Sequence, residues 1–317
     1  MSQRPRIHVV GEALTAFMSY PGESPLAFHG PFPSGAPVIF ASAAARLGAD
    51  VVLAAGVGDD PFGAQFRDRL KRDGVSHRAI TVSPALPTAS VFIWYLGGGQ
   101  RRFAFHAEAT AALAVPPDAL DAEPTPDWLH VSGATLWFGG STGEACWRAV
   151  ERALREGTPI SFDPNVRAAD LDATLRHRVG VLLSAAHVVL VSDGELEALG
   201  ASADSVTGRG AVLCSKHGPA GAVVSTRDGE WHVPAPAADE VDPDGAGDIF
   251  AAGYVAGTLA GLGPVRSAEV AVHVASASVT VRGPLESRVD PLALSVGAEG
   301  VSSRRVAQRG PRTRGTA

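Results

Sequence analysis

Strand-like apolar segments alternate with helix-like segments along most of this 317-residue chain, and this alternation constrains the fold more than any other feature. Strand patterns include IHVVGEAL (7–14), VVLAAGVG (51–58) and HVVLVSD (187–193), and DPFGAQFRDRLKRDGV (60–75) is a typical amphipathic helix pattern between them. Strands joined by helices of this length form a parallel sheet with helices on both faces. The sequence therefore predicts an α/β fold of three layers around a mainly parallel sheet.

One region departs from the alternation. Residues 88–105 read TASVFIWYLGGGQRRFAF, two β-rich runs around a glycine-rich turn, which is typical of an antiparallel hairpin. We predict that segments 14–33 and 87–107 form a small β lid on a single domain spanning 1–296. Residues 297–317 form a basic tail whose Gly, Pro and Ser content predicts a disordered, solvated segment.

Composition excludes several classes of protein. The formal net charge of -6 argues against a general nucleic-acid binder, and no apolar run is long enough for a membrane span. The N-terminus lacks the apolar region of a signal peptide. Cys146 and Cys214 have no metal-ligand spacing and are expected to be reduced thiols. These features together predict a cytoplasmic protein.

The stretch VDPDGAGDIFAAGYVAG (241–257) carries the main chemical signal. Gly245, Ala246 and Gly247 stand where a loop becomes a helix, so backbone N–H groups and the positive end of the helix dipole can bind an anion there. A carboxylate at Asp248 suits phosphoryl transfer, in which the attacking hydroxyl must lose its proton. The alternative is that Asp248 only caps the helix. The GxxxxGK[ST] pattern of a P-loop is absent from the sequence.

DPDGAGDIFAAG (242–253) resembles the signature of the PfkB (ribokinase-like) carbohydrate kinases. Further similarities follow in the family's order, over roughly residues 7–294: GEAL (11–14), AARLGADVVLAAGVGDDPFG (44–63), SFDPNVR (161–167) and SKHGPAGAVV (215–224). The Asp-Pro-Asn-x-Arg segment is closest to the 2-keto-3-deoxygluconate kinase and fructokinase branch. The resemblance implies a ribokinase-like fold and an ATP-dependent phosphotransferase that acts on an alcohol group.

On the donor side, the resemblance implies that Asp248 is the general base and that the amides of residues 245–247 form the anion hole. It places ATP near five residues, of which Glu195 also organises Mg²⁺; in that motif Ser192 replaces the family's Asn. The implied nucleotide residues are Asn165, Arg167, Glu195, Lys216 and Gly218. A monovalent cation such as K⁺ is implied beside the anion hole, at Asp242, Asp244, Gly283 and Ser287.

Each donor-side residue also has a structural interpretation. Glu195 can be an exposed acid at a helix start, Lys216 a surface lysine after a strand, and Arg167 an ion-pair partner of Asp163 or Asp170.

The acceptor side departs from the family pattern. Where the family has Asp, Asn and Arg as polar sugar contacts, this chain has Ala16, Ile39 and Ala107. Each unpaired substrate hydroxyl costs about 1–3 kcal/mol in a closed site. We therefore expect an atypical or larger acceptor, such as an oligosaccharide or an acarbose-like pseudo-sugar, or else a nucleoside. Candidate lining residues are Ala16, Gly35, Ile39, His106 and Trp137, with His29 and Trp94 also considered; each aromatic or His residue can equally be a packing residue.

Two functions remain open at the sequence level. One is an ATP-dependent kinase of a carbohydrate-like hydroxyl, and the other is a non-catalytic descendant that binds a nucleotide or sugar. The resemblance also implies that two copies can pair through the lid as a homodimer.

Overall fold

A computed structural model of the chain describes residues 4–97, 100–165, 171–287, 289–296 and 303–307. Within these residues, ten strands form the central sheet. In sheet order they are β14 (Arg304–Ala307), β13 (Gly229–Val233), β12 (Ala222–Thr226), β11 (Val212–Lys216), β10 (Val188–Ser192), β9 (Ile160–Asp163), β8 (Trp128–Ser132), β1 (Arg6–Val10), β4 (Asp50–Gly58) and β5 (Ile80–Ser83).

The sheet is parallel from β11 to β5 and antiparallel from β11 to β14. The parallel strands are joined by helices, as the alternating sequence pattern predicts. Successive strand residues point to opposite faces, so Val9 packs into the core on one side and Val10 into the core on the other. The predicted three-layer α/β fold is confirmed.

The helices divide between these two faces. Those that pack into the first core are α1 (Ala36–Arg46), α2 (Pro61–Asp73), α8 (Ala246–Leu259) and α9 (Pro264–Ser278), and those in the second are α4 (Gly140–Glu156), α5 (Ala173–Ala185) and α7 (Ala203–Thr207). Short helices are α3 (Gly133–Phe138), α6 (Glu195–Ala198) and α10 (Ala293–Val296).

Helix α2 begins and ends where its sequence predicts. The Asp60 side chain accepts a hydrogen bond from the Gly63 N–H at 2.8 Å, and Pro61 occupies the first helical position. Gly74 ends the helix in the left-handed region at φ 84°.

A second, four-stranded sheet covers one end of the central sheet. Its strands run in the order β3 (His29–Ser34), β2 (Leu14–Ser19), β6 (Ala89–Gly97) and β7 (Gln100–His106). Strands β6 and β7 form an antiparallel hairpin, whereas β2 and β6 are parallel neighbours. We call this sheet the lid; its strands lie almost entirely within segments 14–33 and 87–107.

The tail differs from its prediction where it is described. Residues 304–307 form β14, which pairs with the edge strand β13, and the Arg305 guanidinium lies 5.3 Å from the ring centre of Trp231. An open strand edge and an aromatic face give this short basic segment partners that composition does not reveal. Residues 297–302 and 308–317 lie outside the described residues.

Within the described part of the chain, none of the helices has the length and apolar character needed to cross a membrane.

Candidate active site

Polar side chains gather where the parallel strands of the central sheet end. Glu12 follows β1, Asp163 ends β9, Lys216 ends β11, and Glu195 lies three residues after β10. The carboxyl ends of parallel strands lie at one edge of the sheet, which is where α/β proteins bind ligands.

The helix start predicted at Gly245 is present at the same edge. Gly245 precedes α8 with φ 78°, in the left-handed region that favours glycine. A Cβ at this position would lie 3.0 Å from both Ile39 Cδ1 and Pro284 Cβ, so the loop is closely packed as well. Asp248 stands in the first turn of α8 and is half-buried.

The backbone around Gly247 has the geometry expected at a helix N-terminus. The Ile249 N–H makes the first intrahelical bond, to the Gly245 carbonyl at 2.9 Å, so the preceding amides come before the helical ladder. The Ala246 N–H lies 3.4 Å from the Pro243 carbonyl, a long contact. The backbone amides of Gly245, Ala246 and Gly247 therefore lie where the sequence predicts the anion hole.

Lys216 lies beside this helix start. Its Nζ is 2.5 Å from Asp163 Oδ2 and would be 3.5 Å from a Cβ placed on Gly247. Burial lowers the pKa of Lys216, but the negative charges of Asp163, Glu195 and Asp248 raise it by more, and the net pKa is raised. A charged ammonium group therefore stands next to the predicted anion hole, and in the described part of the chain Asp163 pairs with Lys216.

Glu195 is placed to help bind a Mg²⁺ ion that enters the site together with a nucleotide. Its carboxylate accepts a hydrogen bond from the Ser192 N–H at 2.6 Å, and its charge is felt at Lys216. In the described part of the chain, three or more acidic, His or Cys side chains do not gather in a metal-binding arrangement. Mg²⁺ that is bound through substrate phosphates needs only one or two carboxylates, so Glu195 can meet this need.

The remaining predicted nucleotide residues border the same edge. Asn165 follows β9 in the left-handed region, at φ 47°, and is half-buried. Gly218 has φ 53° and opens a short 3-10 turn after β11. Arg167 lies outside the described residues.

A cleft separates the lid from the N-terminus of α8. Its polar side chains are mostly carboxylates, and its walls are largely apolar. The lining residues are Glu12, Leu14, Ser34, Gly35, Ala36, Ile39, Val91, Ile93, Phe103, Phe105, Ala134, Phe138, Asp244 and Asp248. The cleft thus brings Gly35 and Ile39, two predicted acceptor residues, together with the predicted base Asp248.

The other predicted acceptor residues lie elsewhere. His106 is exposed and packs against Phe92 on the outer face of the lid, because Phe103 and Phe105 take the cleft-facing positions of β7. Trp137 is 37% exposed, and its neighbour Phe138 lines the cleft instead.

Three further candidates also stand outside the cleft. Ala16 is fully buried in the lid core. Trp94 donates to the Pro25 carbonyl at 2.9 Å, and His29 lies 2.8 Å from Glu23.

The predicted cation-binding residues do come together. Asp242 is 2% exposed, and its carboxylate accepts hydrogen bonds from the N–H groups of Asp244 at 3.0 Å and Gly283 at 2.9 Å. The same carboxylate accepts hydrogen bonds from the lid residues Tyr20, at 2.8 Å, and Tyr95. The two tyrosines were not predicted, since they lie 222 and 147 residues away along the chain.

The sequence-based prediction gave Glu12 no role in the site, and it named Asp163 only as an ion-pair partner of Arg167. Glu12 is 1% exposed and accepts a hydrogen bond from Thr135 at 2.8 Å. A carboxylate directly after a strand of a parallel sheet is the signal that marks both residues.

A helix N-terminus with a carboxylate and an ammonium group beside it, at the carboxyl edge of an α/β sheet, is an arrangement that suits phosphoryl transfer. The profile of the pfkB family carbohydrate kinases matches residues 31–290. The chain belongs to this family, and it is therefore an ATP-dependent phosphotransferase that acts on an alcohol group.

Individual relatives agree with this assignment. The chain is 34% identical over 239 residues to a fructokinase of Klebsiella pneumoniae, covering 72% of this chain and 77% of the relative. It is 30% identical over 272 residues to a 2-dehydro-3-deoxygluconokinase of Thermoproteus tenax, covering 81% and 82%. The crystal structure of a putative ribokinase II from E. coli, in complex with ATP and Mg²⁺, matches 93% of this chain and 99% of its own with a TM-score of 0.82 and 29% identity.

Proposed function

We propose that this protein transfers the γ-phosphoryl group of Mg-ATP to a hydroxyl of a small carbohydrate or carbohydrate-like acceptor held under the lid. The observation that carries this proposal is the position of Asp248, which lines the cleft and belongs to the first turn of α8. One carboxylate therefore faces both the acceptor space and the predicted anion hole.

Asp248 accepts the proton of the acceptor hydroxyl as the phosphoryl group arrives. A positioned base of this kind contributes about 10²–10⁴-fold to the rate. The amides around Gly247 donate to the phosphoryl oxygens, and Lys216 adds positive charge beside them. Such preorganised donors stabilise negative charge more in the transition state than in the ground state.

The nucleotide lies along the edge formed by Asn165, Gly218 and Lys216. Glu195 would hold Mg²⁺ through its waters, and the ion would supply positive charge that offsets the charge of the ATP phosphates. The Ser192 N–H donates to the Glu195 carboxylate and orients it, at the position where the family pattern carries an Asn.

The acceptor meets apolar walls where sugar kinases of the family pattern offer polar groups. Ile39 is 3% exposed and contacts the Gly245 loop, and Phe103, Phe105 and Phe138 close the cleft from the lid side and from α3. We infer an acceptor with fewer hydroxyls than a hexose on the side that faces Ile39. The larger oligosaccharide or acarbose-like acceptor finds no support among the relatives, which are named for fructose and 2-dehydro-3-deoxygluconate.

A nucleoside is the second candidate acceptor. The rings of Phe103 and Phe105 are parallel, at an interplanar angle of 1°, with centres 5.6 Å apart. Aromatic faces at a cleft wall can stack on a flat base or on the C–H face of a sugar ring.

An acceptor screen tests the proposal. Full-length protein is incubated with Mg-ATP and each of fructose, 2-keto-3-deoxygluconate, ribose, deoxysugars, disaccharides and nucleosides, and ADP release is measured. We expect turnover with a deoxysugar, a keto-deoxy acid or a nucleoside. Fructose as the best acceptor, at micromolar KM, would contradict the inference about acceptor polarity, and ligand binding without turnover on any acceptor would favour the non-catalytic alternative.

We also infer that the reaction takes place in the cytoplasm, where ATP is available.

We further infer that a second copy of the chain covers the outer face of the lid. Leu26 and Leu96 are 85% and 60% exposed on the lid. Light scattering should give a dimer mass for the wild type and a monomer mass for Leu26→Glu/Leu96→Glu. A monomeric wild type would contradict the dimer.

A further inference from the structure

The Asp242 carboxylate, one of the predicted ligands of a monovalent cation, already has a full set of hydrogen-bond donors. Oδ2 accepts from the Tyr20 hydroxyl at 2.8 Å and from the Gly283 N–H at 2.9 Å. Oδ1 accepts from the Tyr95 hydroxyl and from the Asp244 N–H at 3.0 Å. A carboxylate offers about four lone-pair sites, so a cation would have to displace one of these donors.

The two tyrosines are held as a unit. Their rings are parallel, at an interplanar angle of 4°, with centres 5.1 Å apart, and the Arg282 guanidinium lies 4.5 Å from the Tyr20 ring centre. Both tyrosine hydroxyls donate to the Asp242 carboxylate.

The neighbouring loop, residues 283–287, receives positive charge from the chain itself. The Leu285 carbonyl accepts hydrogen bonds from Arg46 at 3.1 Å and from Arg69, and Arg46 also donates to the Ser287 carbonyl. Two guanidinium groups thus occupy main-chain oxygens of the kind that a K⁺ ion would use.

The other predicted side-chain ligands are Asp244, which forms an ion pair with Arg101 at 3.3 Å, and Ser287. Among the described residues, the buried Ser287 hydroxyl has no hydrogen-bond partner. A single hydroxyl is a poor substitute for the several oxygens that a cation of this class needs, so the residues present do not fit a K⁺ site.

We propose that Tyr20, Tyr95, Arg46 and Arg69 hold the Asp242 and Gly283–Ser287 loops in the arrangement that the family resemblance assigns to a monovalent cation. Phosphoryl transfer by this chain is then independent of K⁺. This inference rests on the proposed function. Because Asp242 lies three residues before Gly245, the tyrosine hydroxyls act as positioning groups that tie the lid to the anion hole.

The first test compares the full-length wild type in KCl, NaCl and choline chloride at equal ionic strength. We expect kcat to differ by less than twofold among the salts, and the Tm and the ATP affinity to be unchanged. Activation by K⁺ of tenfold or more, or a rise in Tm specific to K⁺, would overturn the proposal. The Tm and ATP affinity need no acceptor, so a failed acceptor screen leaves this test intact.

The second test removes the two hydroxyls with Tyr20→Phe/Tyr95→Phe. This variant should lose at least tenfold in kcat in choline chloride and regain at least threefold when K⁺ is added, because Asp242 then has open lone pairs. The matched control Tyr254→Phe removes a buried hydroxyl that contacts Cys214 instead, and its kcat should be the same in all three salts. A double variant whose kcat does not respond to K⁺ would overturn the proposal.

Discussion

The ammonium group of Lys216 lies 2.5 Å from Asp163 Oδ2, and the two side chains are only 12% and 4% exposed. Strands β9 and β11 are both neighbours of β10, so the pair spans the carboxyl ends of three strands. It holds a fixed positive charge beside Gly247, at the helix start where the phosphoryl group is expected to bind.

Lys216→Met leaves the Asp163 carboxylate buried and unpaired. Removing one partner of a buried ion pair costs about 3–5 kcal/mol, so we expect the free energy of unfolding to fall by about 3 kcal/mol in urea titrations. Lys216→Met/Asp163→Asn should recover at least half of this loss. The exposed Lys71→Met serves as the control and should stay within about 0.5 kcal/mol of the wild type. If Lys216→Met is as stable as the wild type, the ion pair between Lys216 and Asp163 does not contribute to stability.

Gly245→Ala introduces a methyl group into a left-handed backbone position and against Ile39 and Pro284. We expect a loss of about 1–3 kcal/mol in stability and a fall of at least tenfold in kcat, because the amides of the anion hole shift. Gly48→Ala is the matched control, since Gly48 has φ +100° but a Cβ there meets nothing within 4 Å. Equal losses of kcat in both variants would count against a catalytic role for the Gly245 loop.

Ile39→Asn places an amide on the apolar wall of the cleft. One new hydrogen bond to an acceptor hydroxyl is worth about 0.5–1.5 kcal/mol, so kcat/KM for fructose should rise by up to about tenfold relative to the wild type. Ile39→Val keeps the wall apolar and should leave the ratio of fructose to deoxysugar turnover unchanged. If Ile39→Asn leaves that ratio unchanged as well, Ile39 does not face the acceptor.

The buried His130 should make the protein less stable as the pH falls. Its ring stacks on Phe40 with centres 3.7 Å apart, and burial, with a smaller effect of the Lys216 charge, lowers its pKa to about 3. Between about pH 6.5 and 3 the unfolded chain binds a proton that the folded chain does not, so the stabilising effect is full above pH 6.5 and is lost as the pH falls.

Unfolding titrations at pH 7 and pH 5 measure this effect. His130→Gln should lose about 2 kcal/mol less than the wild type over that interval, while the exposed His177→Gln should follow the wild type. Identical pH dependence in His130→Gln and wild type would contradict a buried neutral imidazole.

The sequence predicts the α/β core well because each element carries its own signal. The 3.6-residue period and the Asp60 and Gly74 caps define α2, and the run of small residues after Gly245 defines α8. The helix start where we predict the anion hole is equally local, since it depends on glycines within one short stretch.

The acceptor side could not be predicted as well, because it depends on which way lid residues face and on contacts between distant segments. Alternation along β7 sends His106 outward and Phe105 inward, and a shift of one residue in the assumed register reverses that choice. The contacts of Tyr20 and Tyr95 with Asp242 join the lid to the anion-hole loop, and they form only when both are folded.

Turnover by Asp248→Asn tests the central claim most directly. With the best acceptor from the screen and saturating Mg-ATP, we predict a fall in kcat of about 10²–10⁴-fold, with the ATP affinity and the Tm close to those of the wild type. A variant that retains more than a tenth of the wild-type kcat would contradict the assignment of Asp248 as the base that takes the acceptor proton.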